Sequence, residues 1–108
     1  MRTIFFTALR ELFTLRIDTG LQDSEKVRRL SVLMRRIAVS TYPRTEVAGL
    51  TGAAWLDFLD GSTPHKPFAQ GAGRLLADAP YRSQLDEDLG ELFALCEDWI
   101  RRLPEAKR

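Results

Sequence analysis

The chain has 108 residues, 44% of them apolar and 29% charged, and its 16 basic and 15 acidic side chains leave a formal net charge of +1. That length suits one small domain with a modest core, expected to span residues 1–108, and that balance gives no overall pull toward nucleic acid or anionic lipid. The one cysteine, Cys96, excludes an intramolecular disulfide and with it the disulfide-stapled secreted scaffolds, while a reducing cytosol is compatible.

No stretch approaches the roughly 20 apolar residues needed to cross a bilayer. The opening "MRTIFFTALRELF" is broken by Arg10 and Glu11 and lacks a small-residue cleavage site, so it reads as part of the fold rather than as a signal peptide. Its spacing predicts a first helix over residues 3–17. Ile4, Phe5, Ala8, Leu9, Leu12 and Phe13 follow the i, i+3, i+4 rhythm. Phe6, Leu15 and Ile17 fall off that stripe, so this helix is expected to need cover on more than one side. Asp18-Thr19-Gly20 ends it, with Gly20 a natural C-terminal residue.

A second helix begins at Asp23 or Ser24, either of which can accept from first-turn N–H groups. Val27, Leu30, Leu33, Met34, Ile37 and Ala38 form its core stripe. Arg28, Arg29, Arg35 and Arg36 fall mostly on the opposite side, and Pro43 stops the helix near Thr41. Pro43 then opens a short helix running to about Leu50, and Thr51 is placed to cap another over residues 52–60, stopped by Gly61. Trp55, Leu56, Phe58 and Leu59 supply the bulk of that second member. After a Gly/Pro/Ser-rich loop, "DGSTPHKP", one short helix is expected over about 70–79, closed by Pro80. The last helix runs from about Gln84 to Leu103, with Leu85, Leu89, Leu92, Phe93, Cys96, Trp99, Ile100 and Leu103 as its stripe.

Strand signals are nearly absent. The pattern therefore predicts an all-α fold, a compact orthogonal bundle of five to six helices. The first, second and last helices would form its frame, and the other short helices would close one end. Trp55, Phe58, Leu59, Leu75 and Trp99 are the expected structural core.

Candidate chemistry is sparse. His65 stands alone in the loosest loop, with no second His or Cys to complete a metal site, so no metal and no cofactor is expected. Cys96 lies on an apolar stripe, where a thiol is ordinarily buried and inert. "QGAGRLL" puts Gly71, Gly73 and Arg74 at a helix start, yet it lacks the preceding strand and the Lys-Ser/Thr pair of a phosphate loop; the alternative is that the glycines permit close packing. The carboxylates Asp57, Asp60, Asp78, Asp86, Glu87 and Asp88 read as surface groups and helix caps. The helix–turn–helix at 43–60 raises nucleic-acid binding as an alternative. Its second helix, however, carries Asp57 and Asp60 and no Arg, Lys, Asn or Gln to read base edges. Arg28, Arg29, Arg35, Arg36 and Arg44 make a basic face that is either solvated or a docking surface for an acidic partner or lipid headgroups.

"RRIAVSTYPRTEVAGLTGAAWLDFLD" followed by "FAQGAGRLLADAPYR" resembles a bacterial domain-of-unknown-function family of short proteins. Its members are usually membrane-anchored and encoded beside MoxR-type AAA+ ATPases and Bat-type von Willebrand factor A proteins. The shared pattern falls on Tyr42, Pro43, Arg44, Trp55, Phe58 and Asp60, and continues on Gly71, Gly73, Arg74, Pro80, Tyr81 and Arg82. This sequence lacks the membrane helix that precedes the region in family members. The resemblance implies a cytoplasmic, non-enzymatic protein–protein interaction domain, at the inner face of the inner membrane if a longer form carries an anchor. Its partner would be a MoxR-type ATPase or a von Willebrand factor A protein, with no small-molecule substrate. Arg35, Arg36, Arg44, Arg74, Tyr81 and Arg82 are the expected partner-binding residues. The competing account has the arginines satisfy helix-end carbonyls and Tyr81 pack on Trp55. The apolar first helix also leaves a homodimer through Ile4, Phe5 and Phe6 open.

Overall fold

The helical rhythm of the sequence becomes seven α-helices and one 3-10 turn among the described residues, with no strand among them. The computed structural model describes residues 3–61, 63–78 and 89–103. The fold is all-α. Its radius of gyration is 13.3 Å, close to the ~13 Å expected of a packed chain of about 100 residues.

Helix α1 (Thr3–Ile17) and helix α2 (Asp23–Thr41) form a hairpin. The link closes through local bonds. The Asp18 carboxylate accepts from the Gly20 N–H at 2.7 Å, and Lys26 Nζ donates to the Arg16 carbonyl at 2.9 Å. The second contact sets a cation at the negative end of α1. Gly20 follows the end of α1, as expected, without a positive φ, and the Asp18 side chain holds the turn. Likewise α2 starts at Asp23 without a side-chain cap from Gln22 before it.

All six predicted core positions of α2 are buried. On α1 only part of the expected stripe is: Ala8 and Leu12 are buried, Phe5 and Leu9 half-buried, and Phe13 points to solvent, while the off-stripe Leu15 is half-buried. The reason lies in the neighbours. Helix α1 packs on α2 and on α7 (Leu89–Arg101), and Phe13 faces neither well enough to be covered.

Helices α3 (Arg44–Val47) and α4 (Gly52–Asp60) follow Pro43 and Thr51 as the sequence predicts, although α3 stops three residues short of Leu50. Thr51 contributes its carbonyl to the Ala54 and Trp55 N–H groups rather than its side chain. Gly61 ends α4 at φ +54°, a conformation that glycine adopts without a Cβ penalty.

The single helix expected over 70–79 is replaced by α5 (Pro67–Gln70), a 3-10 turn (Ala72–Arg74) and α6 (Leu75–Asp78). Proline opens α5 at its first turn, where the missing N–H is harmless. The break comes at Gly71, whose φ of −130° and ψ of −149° leave the helical region. Helix α4 packs on α5 and α6, and the 3-10 turn packs on α7. Leu92, Phe93, Cys96, Ile100 and Leu103 complete the core from the last helix and its exit; residues 84–88, the predicted start of that helix, lie outside the described residues. Of the expected core, Trp55, Leu59 and Leu75 are buried, while Phe58 and Trp99 are half-buried against it.

Candidate functional site

The basic residues of α2 separate into two sets. Arg35 turns inward. Its guanidinium lies 4.1 Å above the Trp55 ring centre and donates to the carbonyls of Val47 (3.2 Å) and Leu50 (2.5 Å). Burial pulls its pKa below the ordinary arginine value, though the charge persists at any physiological pH. Trp55 also stacks on Phe58 at 5.9 Å, and Tyr42 meets Phe58 edge-on at 5.2 Å. Burial, and then the charge of Glu46, push the Tyr42 phenol up. The cation, three rings and two carbonyls, one at the end of α3 and one in the link to α4, thus pin the α3–α4 corner to α2. Much of Arg35's hydrogen-bonding capacity is spent on that corner.

Arg28, Arg29 and Arg36 face solvent on the hairpin's other side. Glu25 accepts from Arg28 Nε (3.1 Å), Arg28 Nη2 (2.6 Å) and Arg29 Nε (2.8 Å), and Arg36 pairs with Glu11 across to α1. These hydrogen bonds, led by that of Arg28, pull the Glu25 carboxyl from 4.5 down to about 2. A depressed carboxyl stabilises the fold above its unfolded value and loses that contribution as pH falls through its folded value. The stability difference between the native chain and Glu25→Gln is therefore expected to be flat from neutral pH to about 5 and to shrink between 4.5 and about 2. Thermal melts across that range check it. Because the arginines are exposed and the pair is open to solvent, the difference is expected to be small.

Between α1 and α2 lies an open groove of about 540 Å³. Arg10, Arg28, Arg29 and Arg36 line it with Glu11 and Asp18, over an apolar floor that includes Leu15, Val32 and Leu33. A smaller cavity of about 320 Å³ lies between α1 and α7, beside Phe13, Arg16 and Glu97. Arg16 and Glu97 bridge these helices at 3.7 Å. On the ridge between the two cavities, Phe6, Phe13 and Ile17 are 67%, 61% and 57% exposed. With Arg10 they occupy positions i, i+4, i+7 and i+11, one face of the helix. Sequence reasoning noticed Phe6 and Ile17 as off-stripe but placed Phe13 inside.

Two of the other expected partner-binding residues lie among the described residues. Arg44 is exposed at the start of α3, and Arg74 is exposed at the end of the 3-10 turn. Tyr81 and Arg82 lie outside the described residues. Phe5, half-buried, meets the Phe6 ring edge-on at 5.2 Å.

The remaining candidates resolve as structural parts. Cys96 is buried among core side chains, and burial pushes its thiol far up, so it has no thiolate to offer. His65 is exposed in the loop. Among the described residues no three His, Cys, Asp or Glu side chains gather as metal ligands would. Helix α4 buries Trp55, Leu56, Leu59 and Asp60, and its exposed positions are Gly52, Ala53, Ala54 and Asp57, none of which offers a side-chain donor to a base edge. Gly73 is buried against Phe68 rather than open to an anion.

Asp60 meets one half of its expectation, as a helix cap, and departs from the other. It is not a surface group: it is 1% exposed. Its two carboxylate oxygens accept from the N–H groups of Phe68 (2.8 Å) and Ala69 (2.9 Å), so it caps α5 from the end of α4.

Residues 4–102 match the family described as "Domain of unknown function (DUF4381)". No curated protein and no solved structure matches the chain. Among the described residues no helix is long and apolar enough to cross a membrane.

Proposed function

The chain belongs to the DUF4381 family, and from that premise we propose that it is a non-enzymatic interaction domain, accessory to a MoxR-type ATPase–von Willebrand factor A system. The observation that carries the reading is the outer face of α1, where Phe6, Phe13 and Ile17 stand in line and uncovered by the rest of the fold. A fold that buries all six predicted positions on α2 has the means to bury these as well. Large apolar side chains exposed along one helix face, with Arg10 among them, are the kind of surface that partners grip. The resemblance to proteins encoded beside those ATPases supplies the partner class and a cytoplasmic setting, at the inner face of the inner membrane where a longer form carries an anchor. A second copy of the chain is the other candidate occupant of the face. Nothing on α4 favours the nucleic-acid alternative.

The test uses purified MoxR-type and von Willebrand factor A proteins from the same gene neighbourhood, captured on the full chain and measured by interferometry. Phe13→Asp is exposed and should leave the thermal midpoint nearly unchanged. It is expected to weaken partner binding by about 30-fold, the effect of losing an aromatic anchor worth ~2 kcal/mol. Equal binding by the variant, or no binding of either protein by the native chain, refutes the reading. Light scattering on the same samples reports whether the face pairs with itself.

A further inference from the structure

We propose that the α1–α2 groove is the seat of an acidic, amphipathic helical segment of a partner protein. The inference rests on the reading of the chain as an interaction domain and adds where the partner binds and what its binding segment is made of. Four arginines line the groove against two carboxylates, in a chain whose total charge is only +1. The groove lining thus carries a local positive excess, which Glu25 beside Arg28 and Arg29 reduces but does not cancel.

The two carboxylates are also occupied. Glu11 is paired with Arg36, and Asp18 holds the Gly20 N–H. Arg10 makes no ion pair among the described residues and stands at the rim. Arg28 and Arg29 share one acceptor, Glu25. A carboxylate accepts several donors, but each guanidinium has five, so donors remain in excess around the rim. These pairs are exposed, and exposed pairs are weak enough to exchange for a partner's carboxylates. Meanwhile they hold the guanidinium groups in place, in the planar geometry that grips carboxylates two bonds at a time.

The floor decides between kinds of partner. Val32 is 56% exposed, lies between Arg28 and Arg36 at i+4 spacing, and is flanked by Leu33 and by Leu15 of α1. An apolar strip between rows of arginine matches a helix with apolar residues on one face and Asp or Glu on its flanks. Nucleic acid would meet Glu11 and Asp18 with its phosphates and would find no aromatic ring lining the groove on which to stack a base. A lipid surface is flat and would not reach the bottom of the concavity.

The probe is a labelled helical peptide of about three turns, with leucine at every third or fourth position and glutamate beside each. Fluorescence anisotropy with the full chain is expected to give micromolar binding. Arg29→Gln combined with Arg36→Gln should weaken it about tenfold or more, as should Val32→Asp. Replacing the peptide's glutamates by glutamine should abolish binding, and raising salt from about 50 to about 500 mM should weaken it strongly. Arg101→Gln with Arg102→Gln, on α7 and just beyond it, should change nothing; circular dichroism confirms that each variant is folded. Binding indifferent to the groove variants overturns the proposal. So does absent binding at about 100 μM peptide, or equal capture of phosphatidylglycerol vesicles or a single-stranded oligonucleotide. The proposal and the broader reading fail separately: if Phe13→Asp abolishes capture of the ATPase or von Willebrand factor A partner while the groove variants leave it intact, only the groove assignment falls.

Discussion

Asp60→Ala is expected to lower the stability of the fold by about 3 kcal/mol, a large share of the total a domain of this size possesses. The residue is 1% exposed and accepts two backbone hydrogen bonds, from Phe68 at 2.8 Å and Ala69 at 2.9 Å. Both donors sit in the first turn of α5, where no intrahelical acceptor exists for them. Alanine removes the acceptors and leaves the Phe68 N–H stranded in the interior, which is the costly half of breaking a hydrogen bond. The loop between depends on the same contact. Gly61, His65 and Lys66 all have positive φ (+54°, +70° and +45°). Non-glycine residues hold such angles only where the surroundings dictate them. The carboxylate dictates them here by tying the end of α4 to the start of α5.

Urea titration of Asp60→Ala should show a lower midpoint at unchanged slope, and the thermal midpoint should fall by roughly 10–20 °C. Asp60→Asn offers one oxygen to two donors and turns an amide toward the other, so it should lie between the native chain and the alanine variant. If Asp60→Ala stays within about 0.5 kcal/mol of the native chain, the range of ordinary surface changes, the capping account is wrong.

How much of this was legible in the residues depended on how local the cause was. The α2 stripe was legible because six apolar side chains at helical spacing admit one arrangement, and all six are buried. The bounds of α4 were legible because Thr51 and Gly61 punctuate it. Phe13 was misread because periodicity reports a helix's own faces and not how many neighbours it will have. Among the described residues helix α1 packs mainly on α2 and α7, and Phe6, Phe13 and Ile17 stay exposed. Asp60 was read only in part: it is a helix cap, one of its two expected roles, but a buried one, and the reason is related. Its partners lie eight and nine residues ahead, across a loop, beyond the three-residue reach of a capping pattern. Arg35 and Arg36 are adjacent in sequence, yet one enters the Trp55 corner and the other crosses to Glu11. A count of arginines on one helix does not separate them. The groove between α1 and α2 depends on how two helices pair, which no motif within either helix records.

Gly73→Ala is expected to be a damaging single-methyl change, at about 2–3 kcal/mol. A Cβ at this position would stand 2.5 Å from the Cα and the Cδ1 of Phe68 and 2.9 Å from its Cγ. A side chain can rotate away, but a Cα cannot without moving α5. Alanine would ordinarily help at a glycine whose φ it can adopt, by about 0.4–1 kcal/mol through the unfolded chain, so the measured loss is what remains after that gain. Gly20 supplies the control. Its φ is not positive, and an added Cβ meets only Asp18 Oδ1 at 3.4 Å, so Gly20→Ala should be neutral or slightly stabilising. Moving Phe68 also moves its N–H, which is one of the two donors to Asp60. The two sites therefore share an interaction, and the Asp60→Ala/Gly73→Ala double variant should lose less stability than the sum of the singles. Strict additivity would mean that α5 absorbs the methyl without disturbing its cap, and a Gly73→Ala chain as stable as Gly20→Ala would mean that the close approach of Gly73 to Phe68 is not maintained in solution.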